Sequence, residues 1–130
     1  MPTDRDRALA ARLVAHDRLV EVGVGTRIAV ADLLADRGVA VTATDVVDRS
    51  VPATVGFVRD DVTAPDLDIY RGVEAIYALR CPPDLQPALA RLGRRLDTTV
   101  LITTLGADPV VVPTTPECVG PTTVHRVTDR

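Results

Sequence analysis

Residues 19–26 read Leu19-Val20-Glu21-Val22-Gly23-Val24-Gly25-Thr26. A short apolar run that suits a buried strand enters two glycines spaced by one residue, and a helical pattern follows at once. Gly23 permits a tight turn, and Gly25 leaves bare backbone that a ligand can approach. A strand, a glycine turn and a helix in that order are the context a Rossmann-like nucleotide site needs. Twenty residues beyond Gly25 comes Asp45, at the end of the next expected strand. A carboxylate there can accept both ribose hydroxyl protons.

Two residues bear on which nucleotide would bind. The third small residue of a dinucleotide fingerprint falls at position 28, which holds Ile28. A bulky side chain there keeps helix and strand apart and disfavours a pyrophosphate on the helix end. Glu21 lies two residues before the first glycine, where an acid would repel phosphate but welcome a cationic ammonium group. S-adenosylmethionine, which carries such a group, fits better than NAD(P), which is kept as the alternative.

Outward from this stretch the chain alternates. Thr3 to His16 reads as a helix capped by Thr3, and Arg18 to Val22 as a strand. Thr26 to Arg37 is expected to be helical, with Gly38 placed to stop it. Strands are expected at Val39 to Thr44, Val55 to Val58, Val73 to Leu79 and Thr98 to Thr104. A helix over Asp84 to Leu96 carries Leu85, Leu89, Leu92 and Leu96 at helical spacing. Val110 to Val112 is read as a short edge strand. The rest of residues 106–130, with prolines 109, 113, 116 and 121, is read as turns and extended chain packed on or near the sheet edge. Strands alternating with helices imply parallel pairing through right-handed crossovers. The expected fold is a three-layer, doubly wound, Rossmann-like α/β domain over residues 1–130, with strand order 3-2-1-4-5. Its ligand crevice would lie at the carboxyl ends of strands 1 and 4, where the order reverses.

The Glu21-Val22-Gly23-Val24-Gly25 segment resembles the first motif of class I S-adenosylmethionine-dependent methyltransferases, and Asp45 matches their acidic ribose ligand. Asp61-Val62 resembles their adenine contact, in which the acid accepts the exocyclic amine, and Val46 suits the apolar face of the base. Over nearly its full length the chain also resembles archaeal uncharacterised protein family 0146. That resemblance rests on residues 20–25, on Ala43 to Asp45, on Asp60 to Asp66 and on Ile76 to Pro83. It implies the Rossmann-like fold and no particular activity. Two departures from the methyltransferase pattern stand out. Thr26 replaces a third glycine, and Arg80-Cys81-Pro82-Pro83 replaces the Asn/Asp-Pro-Pro-aromatic signature of amino-group methylation.

Composition narrows the classes further. All 15 basic residues are Arg, Asp supplies 15 of the 18 acids, and the formal net charge is −3. An acidic, Lys-free surface suits a halophilic source, and it argues against a phosphate-backbone binder. With Phe57, Tyr70 and Tyr77 as its three aromatics, the chain offers little to stack bases on. The N-terminus lacks a signal-peptide pattern and no apolar run reaches membrane-spanning length, so the expected compartment is the cytoplasm. Cys81 and Cys118 are expected to be ordinary thiols, and no Cys/His cluster has zinc spacing. The 26 residues after the fifth strand are too few to cover a crevice, which leads us to expect a homodimer. Two functions stay open: a minimal methyltransferase, or a non-catalytic nucleotide-binding or scaffold module.

Overall fold

Thr3 opens the first helix as expected. Its hydroxyl accepts the Asp6 N–H at 3.0 Å while the Asp6 carboxylate accepts the Thr3 N–H at 2.9 Å, a reciprocal cap on α1 (Asp4–Leu13). The computed structural model describes residues 1–128. Next come β1 (Arg18–Val22), α2 (Ala29–Asp36), β2 (Ala40–Asp45), β3 (Gly56–Arg59) and the one-turn α3 (Leu67–Tyr70). The second half holds β4 (Ala75–Ala78), a 3₁₀ turn (Pro83–Leu85), α4 (Gln86–Leu96), β5 (Thr99–Ile102), β6 (Thr114–Val119) and β7 (Thr122–Val127).

The strands form one sheet in the order β3-β2-β1-β4-β5-β7-β6. The first five pair in parallel, in the order the alternation predicts. β7 runs antiparallel to both β5 and β6, so β6 points the same way as the parallel five. Leu9, Ala10 and Leu13 of α1 and Val30, Ala31 and Leu34 of α2 cover one face of the sheet. Tyr70 of α3 and Leu89 and Leu92 of α4 cover the other. Val, Ile, Leu and Ala fill both cores, as β-branched and aliphatic side chains do between a parallel sheet and its helices.

Three expectations need correction. The second helix begins at Ala29 rather than Thr26. Gly25 takes a left-handed φ of 57°, and a turn closed by the Arg27 N–H on the Val24 carbonyl intervenes before the helix can start. Val110 to Val112 is not a strand. That segment is clipped to α4 by the buried Gln86, whose Nε2 donates to the Pro109 carbonyl at 3.0 Å and whose Oε1 accepts the Val111 N–H at 2.7 Å. The Pro-rich tail is a hairpin, β6–β7, rather than loose chain. Pro116 lies on the edge strand β6, where a missing backbone donor is tolerated, and Pro121 follows the turn glycine, Gly120. Residues 129 and 130 of the expected tail lie outside the described residues.

The hairpin is fastened to the start of the chain. The Arg12 guanidinium donates to both Glu117 oxygens, at 2.8 and 3.1 Å, and joins α1 to β6. Among the described residues no helix is long and apolar enough to cross a membrane.

Candidate nucleotide site

The end of β2 holds the glycine turn in place. The Thr44 carbonyl accepts the N–H groups of Gly23 and Val24 at 2.9 and 3.0 Å. One residue on, Asp45 Oδ2 accepts the Gly25 N–H at 2.9 Å, and Oδ1 accepts the Val47 N–H at 3.3 Å. Arg49 completes the surroundings with an ion pair to Oδ2 at 3.4 Å. Gly23 has φ 71° and Gly25 φ 57°, a region that side-chain-bearing residues rarely enter. The motif and the ribose candidate are therefore in direct contact. A carboxylate has about four lone-pair sites, so these bonds leave Asp45 room to accept hydroxyls as well.

Glu21 sits where parallel registry places it, between Ala43 of β2 and Tyr77 of β4 on the α1–α2 face. It is 1% exposed, and its Oε1 has no hydrogen-bond partner. The Tyr77 hydroxyl is likewise unpartnered. The two side chains lie close enough for the Tyr77 hydroxyl to favour the ionised Glu21 and for Glu21 to hold the proton on Tyr77. Burial pushes the Glu21 carboxyl up to about 8, and the Tyr77 hydroxyl and the Arg80 charge offset part of that rise. Burial and the neighbouring carboxylate drive the Tyr77 phenol well above its ordinary value. Glu21 lines a cleft of about 250 Å³ with Gly23, Gly25, Thr26, Arg27 and Arg80. At neutral pH it is an uncharged acid, ready to ionise beside an arriving cation.

The remaining candidates sit differently. Val46 follows Asp45 on the surface, 56% exposed. β3 ends beside β2, with Asp45 opposite Arg59 and the Asp60 N–H on the Asp45 carbonyl, so Asp45 and Asp61 lie at adjacent strand ends. Asp61 is exposed and accepts both the hydroxyl and the N–H of Thr63, which lower its carboxyl below the usual range. Val62 is buried in the α3–α4 core beside Tyr70. Asp60 is a structural acid: it accepts the Tyr70 hydroxyl at 2.6 Å and the Asp66 N–H at 3.1 Å. Among the described residues, no group of three His, Cys, Asp or Glu side chains is placed to hold a metal.

Arg80 is the residue that the sequence reading undervalued. It follows β4 with a φ of 52°, a conformation that costs a non-glycine residue about 1–3 kcal/mol. Thr103 fixes it there: its Oγ1 accepts the Arg80 N–H at 2.9 Å, and its carbonyl accepts the Cys81 N–H at 2.8 Å. Pro82 caps and Pro83 opens the next helical turn. The Cys81 thiol is buried and pushed up to about 11, unlike an activated nucleophile. No local signal in Arg80-Cys81-Pro82-Pro83 announces a link to Glu21, which arises from the β1–β4 pairing alone.

The family pattern described as "Uncharacterised protein family (UPF0146)" matches residues 6–121, so the chain belongs to that family. It is 54% identical over 105 residues to the UPF0146 protein of Halobacterium salinarum, covering 81% of each chain. That source fits the halophile reading of the composition. Among solved structures it is similar to an RNA methyltransferase from Salinibacter ruber in complex with S-adenosyl-L-homocysteine, with TM-score 0.62, 17% identity, and 98% of this chain and 92% of that one covered. It is also similar to the CcbJ methyltransferase from Streptomyces caelestis, with TM-score 0.57 and 24% identity, covering 96% of this chain and 60% of that one. At these identities the likeness establishes the Rossmann-like fold and nothing finer.

Proposed function

We propose that this member of uncharacterised protein family UPF0146 binds S-adenosylmethionine at the carboxyl ends of β1, β2 and β4 and acts as a minimal methyltransferase. The observation that carries the reading is Glu21: a buried acid whose Oε1 has no hydrogen-bond partner, at the wall of a cleft whose other wall is the glycine turn. A buried polar group without a partner costs about 1–3 kcal/mol, and an ammonium group would relieve that cost. A pyrophosphate would gain nothing from this acid, and the bulky Ile28 at the start of α2 keeps helix and strand apart where a dinucleotide site needs a small residue. In this reading Asp45 accepts the ribose hydroxyls, Val46 supports the adenine, and Asp61 with Val62 marks the exocyclic amine. The ligand supplies an activated methyl group on a sulfonium. The protein's part is to align a nucleophile with it and exclude water, which a small domain can do. We further propose a cytoplasmic protein whose second copy closes the cleft.

Calorimetry tests the cofactor. S-adenosylmethionine, S-adenosylhomocysteine and NAD are titrated into the full chain, and the expected order places both sulfur nucleosides ahead of NAD. Tighter NAD binding would show Glu21 and Ile28 to have misled. One observation favours a second reading, a nucleotide-binding module without catalysis: Arg80-Cys81-Pro82-Pro83 brings no base to the cleft, and the Cys81 thiol is inert. A wild type that binds S-adenosylmethionine but transfers no methyl group to any of a broad panel of acceptors would move that reading first.

A further inference from the structure

Beside the Glu21 cleft lies a second hollow of about 300 Å³, between the N-terminal ends of α1 and α2. Arg27 and Arg80 line both, with Thr3 and Thr26 contributing hydroxyl-bearing side chains to the second. Arg5 lies near enough to act on Arg80, whose guanidinium is held below its usual range by burial and then by the charges of Arg27 and Arg5. Among the described residues none of these three arginines makes an ion pair; the salt bridges use Arg7, Arg12, Arg49 and Arg71 instead. Two acids stand near. Asp6 lines the hollow and its charge acts on Arg80, although its carboxylate also accepts the Thr3 N–H in the α1 cap; Glu21 is uncharged at neutral pH. In an acidic chain, two guanidinium groups on the wall of one concavity, with a third close by and none in an ion pair, outnumber the one charged carboxylate there and form a site for an oxyanion. The conformation of Arg80 is also held by Thr103 rather than left to a flexible loop.

The hollow lies on the β4 side of β1, whereas Asp45 lies on the β2 side. It therefore adjoins the cofactor cleft without overlapping the ribose candidate. We infer that Arg27 and Arg80 form an oxyanion subsite for the second reactant, so that the acceptor molecule carries a carboxylate or a phosphate group. As a statement about an acceptor this rests on the cofactor reading above. The anion site itself does not.

The test uses the full chain with inorganic phosphate and acetate as probes, titrated calorimetrically with and without saturating S-adenosylhomocysteine, in buffers free of other oxyanions. Phosphate or acetate is expected to bind wild type with and without the nucleoside, and at least tenfold more weakly in Arg80→Gln and in Arg27→Gln. Arg80→Lys should restore part of the affinity. Arg27 is exposed, so its variant keeps the test decisive even if Arg80→Gln folds poorly. The stronger of the two probes names the acceptor's anionic group. Absence of binding, or binding indifferent to both substitutions, overturns the inference. Displacement of the probe by S-adenosylhomocysteine also overturns it, because the arginines would then hold the nucleoside's own carboxylate. Should S-adenosylhomocysteine fail to bind while phosphate still depends on Arg27 and Arg80, the anion site stands and the cofactor reading falls.

Discussion

A single carboxyl group, Glu21, sets much of the chemistry available here. Its folded-state value near 8 lies above its ordinary 4.5, so between those values the folded chain keeps a proton that the unfolded chain has released. Stability contributed by this group is full below about pH 4.5, falls as pH rises, and levels off above about 8. At about 1.4 kcal/mol per unit of displacement, the window spans a few kcal/mol. Glu21→Gln keeps the shape and removes the titration. Urea unfolding at pH 5 and pH 8 should show wild type losing stability relative to the variant; parallel behaviour would refute the raised carboxyl. Asp45 makes the second residue-scale prediction. Asp45→Ala removes the expected ribose acceptor and should weaken S-adenosylhomocysteine binding about tenfold or more, at about 1.5–3 kcal/mol per hydrogen bond to a charged acceptor. It also frees the Gly25 N–H, so a stability loss of about 1–3 kcal/mol is expected beside it, unlike a substitution at a purely exposed acid. Equal affinity in variant and wild type, measured by calorimetry, would remove Asp45 from the site. Glu21, Gly23, Gly25 and Asp45 were legible because local pattern and chain spacing identify them. Arg27 and Arg80 were not, because their relation to Glu21 exists only once β1 and β4 are paired.

Among the elements, α4 depends on an absent side chain. A Cβ built at Gly93 would meet Val100 Cγ2 at 2.7 Å and the Thr98 carbonyl at 3.1 Å. On an exposed helix, Gly→Ala gains up to about 1 kcal/mol in propensity. Here the helix would have to lift from β5, and overpacking of this kind typically costs about 1–3 kcal/mol. Gly93→Ala should therefore destabilise the protein in urea unfolding, and a gain in stability would show that the helix–strand spacing is looser than 2.7 Å implies. The element order and the 3-2-1-4-5 core were readable from alternating apolar segments, with boundaries displaced by a few residues. The hairpin escaped because Pro116 and Pro121 read as breakers, whereas edge position and turn position tolerate them. The clip at Gln86 escaped because a lone glutamine on a helix carries no sign of what it will bind.

At the scale of the whole molecule, the Arg12–Glu117 bridge ties α1 to the hairpin. Both side chains are about 30% exposed, so solvent screens the pair and its coupling should stay at or below about 1 kcal/mol despite two hydrogen bonds. A double-mutant cycle with Arg12→Ala and Glu117→Ala measures it, and the coupling should shrink in molar salt. A coupling of several kcal/mol would show the pair to be effectively dry. The homodimer we propose is checked by light scattering across a concentration series; monomer throughout would leave the cleft to be closed by its substrate alone. The same bridge has a consequence for how the protein is made. Arg12 and Glu117 are 105 residues apart. A ribosome adding about 5–20 residues per second finishes α1 roughly 5–20 seconds before its clasp exists. During that interval Leu9 and Leu13 lack Val124, one of the groups that enclose them in the finished fold. The helix synthesised first thus packs on α2 early but is clasped only at the end, and a nascent chain stalled short of Glu117 leaves the part of its apolar stripe that Val124 covers open to any chaperone at the exit tunnel.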